Sequence, residues 1–146
     1  MFERYTERAR RVIFFARYEA SQFGNASIEV EHLLLGIIRE EKTLIATLLG
    51  KRVSLDFIRQ EIVAHTVPGE KISTSVEIPL TPALKRVLAY THDESEKLNH
   101  KHIGTEHMVL GLLREEGSLA ANLLIKVGLS LEGVRERLKE RVLECD

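Results

Sequence analysis

The sequence predicts an all-α protein built as a tandem duplication of a four-helix unit. Apolar residues recur at three- and four-residue spacing along most of the chain, which is typical of amphipathic helices. The chain of 146 residues is 44% hydrophobic and 29% charged, with only 3 Pro and 9 Gly, which is the composition of an ordinary globular domain. The sequence also matches itself when it is shifted by 75 positions.

The self-match runs through most of both halves. Identical residues fall on each other at Thr6 and Thr81, Glu31-His32 and Glu106-His107, Leu35-Gly36 and Leu110-Gly111, and Arg39-Glu40-Glu41 and Arg114-Glu115-Glu116. One extra residue after Lys126 then aligns Ser54-Leu55 with Ser130-Leu131. Two copies are too few for a solenoid. We therefore expect two repeats, at residues 1–64 and 80–146, related by a pseudo-twofold axis within one compact domain.

The first helix of each repeat has a clear start signal. Thr6 and Thr81 are predicted N-caps, and Pro82 occupies the favoured first helical position. The inward faces follow at helical spacing, with Ala9, Val12, Ile13, Ala16, Ala20 and Phe23 in one copy and Leu84, Val87, Leu88, Thr91, Ser95 and Leu98 in the other.

Three shorter helices are predicted after each first helix. The second begins near Val30 or Thr105 and ends near the Arg-Glu-Glu segment. The third carries Leu44, Ile45, Leu48 and Leu49, or Leu119, Ala120, Leu123 and Leu124, and Gly128 is expected to end it in the second copy. Ser54 and Ser130 are predicted caps of the fourth, with Leu55, Ile58 and Ile62, or Leu131, Val134 and Leu138, facing inward.

Residues 65–79 break the helical pattern and are predicted to be a linker. The segment contains Pro68-Gly69 and Ser73-Thr74-Ser75, which favour turns. Val76-Glu77-Ile78 could form a short extended piece.

Charge and cysteine content exclude several classes. The net charge of −1 disfavours a nucleic-acid-binding protein, and the basic run at Arg4, Arg8, Arg10 and Arg11 is diluted by acidic residues. A lone Cys145 cannot form an intramolecular disulfide, which fits a reducing compartment. The charged N-terminus is not a signal peptide, and the apolar run 33–38 is too short to span a membrane. We expect a cytoplasmic monomer.

The sequence lacks the common catalytic motifs. It contains no phosphate-binding Gly-x-x-x-x-Gly-Lys-Ser/Thr loop, no Gly-x-Ser-x-Gly elbow and no His-Glu-x-x-His pair. His100, His102 and His107 could hold a metal ion, but their spacing is not that of helical ligands, so a polar loop is the favoured interpretation. The adjacent carboxylates at 40–41 and 115–116 do not share a helix face and are expected to be solvated helix ends. We therefore expect no cofactor, no metal and no enzymatic activity.

The repeated Glu-His pair at a helix start is the most informative motif. It occurs as Glu31-His32 and Glu106-His107, where a helix offers free N–H groups and a positive dipole end. A purely structural interpretation is also available: Thr105 caps the helix, Glu106 suits the dipole and His107 packs.

With these residues the whole chain resembles the N-terminal domain of the Clp/Hsp100 AAA+ unfoldases, most closely the ClpC type. The resemblance is carried by Phe2-Glu3-Arg4-Tyr5-Thr6-Glu7-Arg8-Ala9, by residues 103–115 and by their duplicates. It implies a tandem repeat of four-helix units that receives adaptor proteins or substrates for an ATPase ring and its peptidase. The AAA+ modules are not in this sequence.

The resemblance also implies twin phosphoarginine sites, one in each repeat. The residues concerned are Gly104, Thr105, Glu106, Glu31, Thr6 and Thr81. A carboxylate can bind the guanidinium while helix-start N–H groups bind the phosphate. The first copy has Glu29-Val30 where the second has Gly104-Thr105, which adds negative charge and removes a hydroxyl. We expect the Glu106 site to bind better.

Two other functions are compatible with the residues. A stand-alone accessory subunit could dock on a Clp protease or compete for its adaptors. A small helical enzyme is a third interpretation, but no nucleophile–base pair supports it.

Overall fold

A computed structural model describes residues 2–145, and the side chains of residues 2–140. Within that part of the chain eight helices form and no strand does, so the all-α prediction is confirmed. The first four helices are α1 (Glu7–Phe23), α2 (Val30–Glu40), α3 (Leu44–Leu49) and α4 (Asp56–His65). Their equivalents are α5 (Pro82–Lys97), α6 (Thr105–Arg114), α7 (Leu119–Val127) and α8 (Leu131–Cys145). The side chain of Cys145 lies outside the described set.

The second helices of the two repeats, α2 and α6, form the centre of the fold. Each packs against the first helix of its own repeat, and each also contacts helices of the other repeat. Most of their residues are buried, including Leu33, Leu34, Met108 and Leu110. The two repeats therefore share one apolar core.

A glycine in each central helix allows a close helix crossing. A Cβ on Gly36 would lie 2.6 Å from the carbonyl oxygen of Val12 in α1. A Cβ on Gly111 would lie 2.2 Å from the Thr91 hydroxyl and 2.7 Å from the Val87 carbonyl oxygen in α5. Only glycine leaves room for these contacts, which explains the repeated Leu-Gly pair.

Most of the predicted helix ends are confirmed. The Thr6 hydroxyl accepts from the Ala9 N–H at 3.1 Å, and the Thr81 hydroxyl accepts from the Leu84 N–H at 3.2 Å. Ser130 accepts from the Gly133 N–H at 3.0 Å. Gly128 ends α7 in the left-handed conformation, with φ of 114°.

The prediction that Ser54 caps the fourth helix is wrong. Leu55 occupies the N-cap position of α4 and no side chain caps that end. The helix instead begins with Asp56, whose carboxylate is favourable at the positive end of the dipole.

The segment between the repeats is bound to α1 along part of its length. The Gly69 N–H donates to the Phe23 carbonyl and the Ile72 N–H to the Ser21 carbonyl, both at 2.9 Å. Ile78 is buried in the core. Val76-Glu77-Ile78 does not form a strand, and the extended contact lies at Leu80.

Arginines on the first helices cover the carboxylates at the ends of the central helices. Arg11 binds Glu40, and Arg86 binds Glu115 with two hydrogen bonds, of 3.2 and 2.6 Å. The side chains of Glu40 and Glu115 are only 10% and 13% exposed. The expectation of solvated helix ends is therefore wrong for Glu40 and Glu115, whereas Glu116 is exposed.

The basic run near the N-terminus is likewise engaged within the protein. Arg4 binds Glu96, Arg8 binds Glu41, and Arg10 donates to the backbone carbonyls of Phe2 and Glu3.

Among the residues that the structure describes, none belongs to a helix long and apolar enough to cross a membrane.

Candidate functional site

Two short backbone contacts join the repeats and bring helix starts together. Tyr5 forms an isolated parallel bridge with Ile103, and Ile28 forms the equivalent bridge with Leu80. In the first, the Thr6 N–H donates to the Ile103 carbonyl at 2.9 Å. In the second, the Thr81 N–H donates to the Ile28 carbonyl at 3.1 Å. In each bridge, one of the two paired segments continues into the first helix of a repeat, α1 or α5. The other segment continues into the second helix of the other repeat, α6 or α2.

The consequence is two places where two helix N-termini converge. We call them the α1/α6 site, with Thr6, Gly104, Thr105 and Glu106, and the α5/α2 site, with Thr81, Glu29, Val30 and Glu31. Both helix starts at each site have free N–H groups and a positive dipole end. Each site combines residues of both repeats, so neither repeat could form one alone.

In the α1/α6 site the Glu106 carboxylate folds back over the start of its helix. Its side chain is 19% exposed, and Oε1 lies 3.3 Å from His102 Nε2. A Cβ on Gly104 would lie 2.5 Å from that same oxygen. Glycine at 104 is thus required for this position of the carboxylate.

Thr105 does not cap α6, so that part of the structural interpretation is wrong. It is the first residue of the helix, and Gly104 is the N-cap. The buried Thr105 hydroxyl donates instead to Glu41 Oε2 at 2.9 Å, across the boundary between the repeats. Arg8 NH1 lies 2.5 Å from the other Glu41 oxygen.

His107 holds the start of α6 in place. Its Nδ1 accepts from the Gly104 N–H at 2.9 Å, and its Nε2 lies 2.7 Å from His100 Nδ1. Because Nδ1 accepts, the ring proton is on Nε2 and is donated to His100. Burial, opposed in part by Glu106, lowers the pKa of His107 to about 4, so the ring is neutral at pH 7.

The three histidines are close enough for a metal ion, but hydrogen bonds occupy the lone pairs of two of them. Ring nitrogens of His100, His102 and His107 lie within 4.8 Å of one another. Both nitrogens of His107 are used as above, and His100 Nδ1 accepts from His107, which leaves the His100 proton on Nε2. His102 alone keeps a free lone pair, on Nδ1, and one ligand does not make a site. We interpret the cluster as structural.

The α5/α2 site has the same scaffold with different side chains. The Glu29 N–H donates to His32 Nδ1 at 2.8 Å, and His32 Nε2 lies 3.1 Å from Asn25 Oδ1, so Asn25 replaces His100 as the acceptor. Burial lowers the pKa of His32 to about 4, opposed by Glu19.

The α5/α2 site is also more acidic. Val30 is buried and offers no hydroxyl. Burial raises the pKa of Glu31, and the charge of Glu29 raises it further. Both carboxylates line a polar cleft of about 260 Å³ with His65 and Thr66. An arriving phosphate would meet these charges at close range.

Sequence reasoning missed the part that Glu41 has in the α1/α6 site. The contact joins residues 64 positions apart, so no local pattern predicts it. The sequence did contain a signal for the ion pair of Glu40, the neighbour of Glu41. Arg11 and Glu40 recur as Arg86 and Glu115 at the same separation of 29 residues.

The fold and the paired sites define a helical domain built from two repeats. Comparisons with known proteins identify the family of this domain. The family model described as the Clp repeat (R) N-terminal domain matches residues 4–127 and, in a second match, residues 88–144. The chain belongs to this family of Clp N-terminal domains.

Individual relatives agree with the family match. The chain is 37% identical over 139 residues to "Negative regulator of genetic competence ClpC/MecB" of Bacillus subtilis, which covers 94% of the chain and 17% of that protein. It is 38% identical over 145 residues to "Chaperone protein ClpC, chloroplastic" of Pisum sativum, which covers 99% of the chain and 16% of that protein. The chain thus spans about a sixth of the length of these relatives.

A solved structure confirms the architecture. The N-terminal domain of the caseinolytic protease associated chaperone ClpD from Arabidopsis thaliana superimposes with a TM-score of 0.74 at 27% identity. The match covers 97% of this chain and 96% of that one.

Proposed function

We propose that this chain is a non-enzymatic recognition domain that receives protein substrates or adaptor proteins for a Clp-type ATP-dependent unfoldase and its peptidase. The family membership supports a Clp-associated role. The convergence of two helix starts next to the Glu106 carboxylate, in a site shared by both repeats, is the observation that carries the recognition role. We place the domain in the cytoplasm and keep 1–64 and 80–146 as its repeats.

Phosphoarginine is the ligand that the α1/α6 site fits best. Its guanidinium is a planar cation that a carboxylate such as Glu106 binds with charge-assisted hydrogen bonds. Its phosphate is an anion suited to the free N–H groups of α1 and α6. The Thr6 and Thr105 hydroxyls lie at the two helix starts. The nearby Glu41 charge is offset by Arg8.

The α5/α2 site is proposed to bind phosphoarginine more weakly. Glu29 replaces Gly104, so the phosphate gains a repelling charge, and Val30 replaces Thr105, so α2 starts without a hydroxyl. The added charge carries the proposal, because the Thr105 hydroxyl already donates its proton to Glu41. The raised pKa of Glu31 shows that negative charge is already costly there.

The test is a titration of ¹⁵N-labelled protein with a phosphoarginine peptide, followed by backbone amide shifts. Saturable shifts of Gly104, Thr105 and Glu106 are expected, and the same peptide with unmodified arginine should give much smaller ones. Glu106→Ala should abolish these shifts, whereas the matched variant Glu31→Ala should leave them in place. Equal shifts at both sites would contradict the predicted inequality. An absence of shifts at millimolar peptide would remove the phosphoarginine role and leave adaptor docking.

The accessory-subunit alternative is tested separately. Affinity purification of the tagged chain should recover a Clp ATPase or adaptor if it is a recognition domain. Recovery of the Clp peptidase without any ATPase would favour the accessory role.

A further inference from the structure

A large groove of the domain lies outside both candidate sites. A groove of about 530 Å³ runs between the end of α2 and the start of α4, and its polar lining includes Arg39, Lys42, Asp56 and Arg59. A neighbouring cavity of about 350 Å³ shares Ile38, Leu55, Asp56 and Arg59 with it, so the two are continuous. We call this surface the Arg39 groove. It contains no residue of the α1/α6 or α5/α2 site.

Two of the three cations in the Arg39 groove have no acidic partner among the side chains that the structure describes. Arg59 binds the buried Glu19 through both carboxylate oxygens, at 2.7 and 3.0 Å. Arg39 and Lys42 make no ion pair with any residue for which side chains are described, and both are exposed. Glu19 does not line the groove, and Asp56 is the one carboxylate among its described lining residues.

Arg39 is held in place by aromatic rings instead of carboxylates. Its guanidinium carbon lies 5.2 Å from the ring centre of Phe15 and 5.0 Å from that of Tyr18. Cation–π stacking uses the faces of the rings and leaves the five N–H donors of the guanidinium available to a ligand.

The second repeat shows how the same positions are satisfied internally. Arg114, the equivalent of Arg39, binds Asp93 at 2.6 Å and Glu94 at 3.0 Å. Arg135, the equivalent of Arg59, also binds Glu94, at 2.8 and 2.7 Å. Tyr18 stands in the first repeat where Asp93 stands in the second, and Lys42 stands in place of Gly117.

These two replacements leave the cations of the two repeats differently paired. At the equivalent positions the first repeat has three cations against Glu19 and Asp56. In the second repeat Arg114, Arg135 and Lys97 face Asp93, Glu94 and Glu132, and each of these three cations has a carboxylate partner. The Arg39 groove thus lacks the anion that its counterpart carries within the chain.

Apolar surface continues from the groove onto α1. Phe14 is 59% exposed and its ring lies 5.8 Å from that of Phe15 in an edge-to-face arrangement. Ile38 and Leu55 are partly buried in the lining itself. A ligand of the groove would therefore contact both cations and apolar side chains.

We propose that the Arg39 groove is a docking surface for an acidic segment of a partner protein, with carboxylates on Arg39 and Lys42 and an apolar side chain against Ile38 and Leu55. Arginine binds carboxylates in a bidentate manner, which gives such a contact direction as well as charge. This surface shares no residue with the phosphoarginine proposal and does not depend on it.

The test uses a fluorescein-labelled peptide of sequence Asp-Glu-Leu-Asp-Glu-Leu-Asp-Glu and fluorescence anisotropy. Saturable binding to the wild-type domain is expected. Lys42→Glu should weaken it by roughly tenfold, because one attraction becomes a repulsion. Lys71→Glu is the matched control: it makes the same charge change at an exposed position outside the groove and should weaken binding less than about twofold.

Further variants separate the two proposals. Glu106→Ala should leave binding of the acidic peptide unchanged, and Lys42→Glu should leave the phosphoarginine shifts unchanged. Arg39→Gln should weaken the acidic peptide without affecting the fold, which far-UV circular dichroism checks. Equal weakening by Lys42→Glu and Lys71→Glu would show general charge attraction and overturn the proposal. Amide shifts confined to the α1/α6 site would overturn it as well.

Discussion

The two buried histidines should make the domain sensitive to mild acid. His32 and His107 are fully buried, and burial lowers the pKa of each from 6.5 to about 4. The unfolded chain therefore binds protons more readily than the folded one. Stability is complete above pH 6.5 and is lost as the pH falls toward 4.

The size of the effect follows from the two pKa values. At about 1.4 kcal/mol for each pH unit, each histidine destabilises the folded state by about 3 kcal/mol once it is fully protonated. At pH 5 the loss is about 2 kcal/mol for each ring and about 4 kcal/mol for both, out of a typical total of roughly 5–15 kcal/mol.

Glu31, whose pKa is raised, opposes part of this loss because its protonated form is favoured in the folded state. Glu94 contributes only at lower pH: burial raises its pKa, but hydrogen bonds from Arg135 and Arg114 outweigh this and hold it below its usual value of 4.5.

Urea unfolding between pH 7.5 and 5.0 measures this directly. The free energy of unfolding should fall with a slope that corresponds to nearly two protons bound on unfolding near pH 5. His32→Asn and His107→Asn keep an acceptor for the backbone N–H, and each should remove about half of the slope. Burial also lowers the pKa of His100, which adds to the slope in the same direction. A slope that is undiminished when both His32 and His107 are replaced would refute the reasoning, as would ¹⁵N imidazole titrations giving pKa values near 6.5 for these two residues in the folded protein.

Three further predictions concern single side chains, each measured as a change in the urea midpoint. Gly36→Ala and Gly111→Ala should each destabilise by about 1–3 kcal/mol, because a Cβ would overlap α1 or α5; unchanged midpoints would show that the crossings can widen freely. Glu94→Leu should cost roughly 3 kcal/mol, since Arg114 and Arg135 both lose their shared buried partner, and a neutral result would mean that solvent compensates them fully. Thr6→Ala should cost about 1 kcal/mol through the lost cap, Thr6→Ser should restore most of it, and equal loss in both variants would contradict a capping role.

Local signals in the sequence predicted the helices because each depends on neighbours along the chain. The caps at Thr6, Thr81 and Ser130 and the stop at Gly128 need only a few residues of context. The duplication added the equivalence of the two halves. The prediction for Ser54 was wrong because the match between Ser54 and Ser130 does not fix where each helix begins. The helix α4 begins two residues after Ser54, whereas α8 begins directly after Ser130.

The candidate sites could be predicted only in part, because their key contacts cross between the repeats. The Tyr5–Ile103 bridge and the Thr105–Glu41 hydrogen bond join residues far apart in sequence. The sequence gives the charges of Arg39 and Lys42, but it does not tell that neither has an acidic partner among the described side chains. That conclusion required the structure, because the partners of Arg114 come from α5, a separate helix.

The duplicated Glu-His motif is itself explained by the fold, and the functional information lies in the residues around it. His32 and His107 both accept a backbone N–H from the N-cap residue, whether that residue is Glu29 or Gly104. The histidine therefore stabilises the helix start in both repeats regardless of what the site binds. The proposed ligands would distinguish the repeats through the differing pair at 29–30 and 104–105 and through Arg39 and Lys42 of the Arg39 groove. Since both repeats share one core, such surface changes leave the scaffold intact, so one fold can carry the three dissimilar surfaces for which binding is proposed.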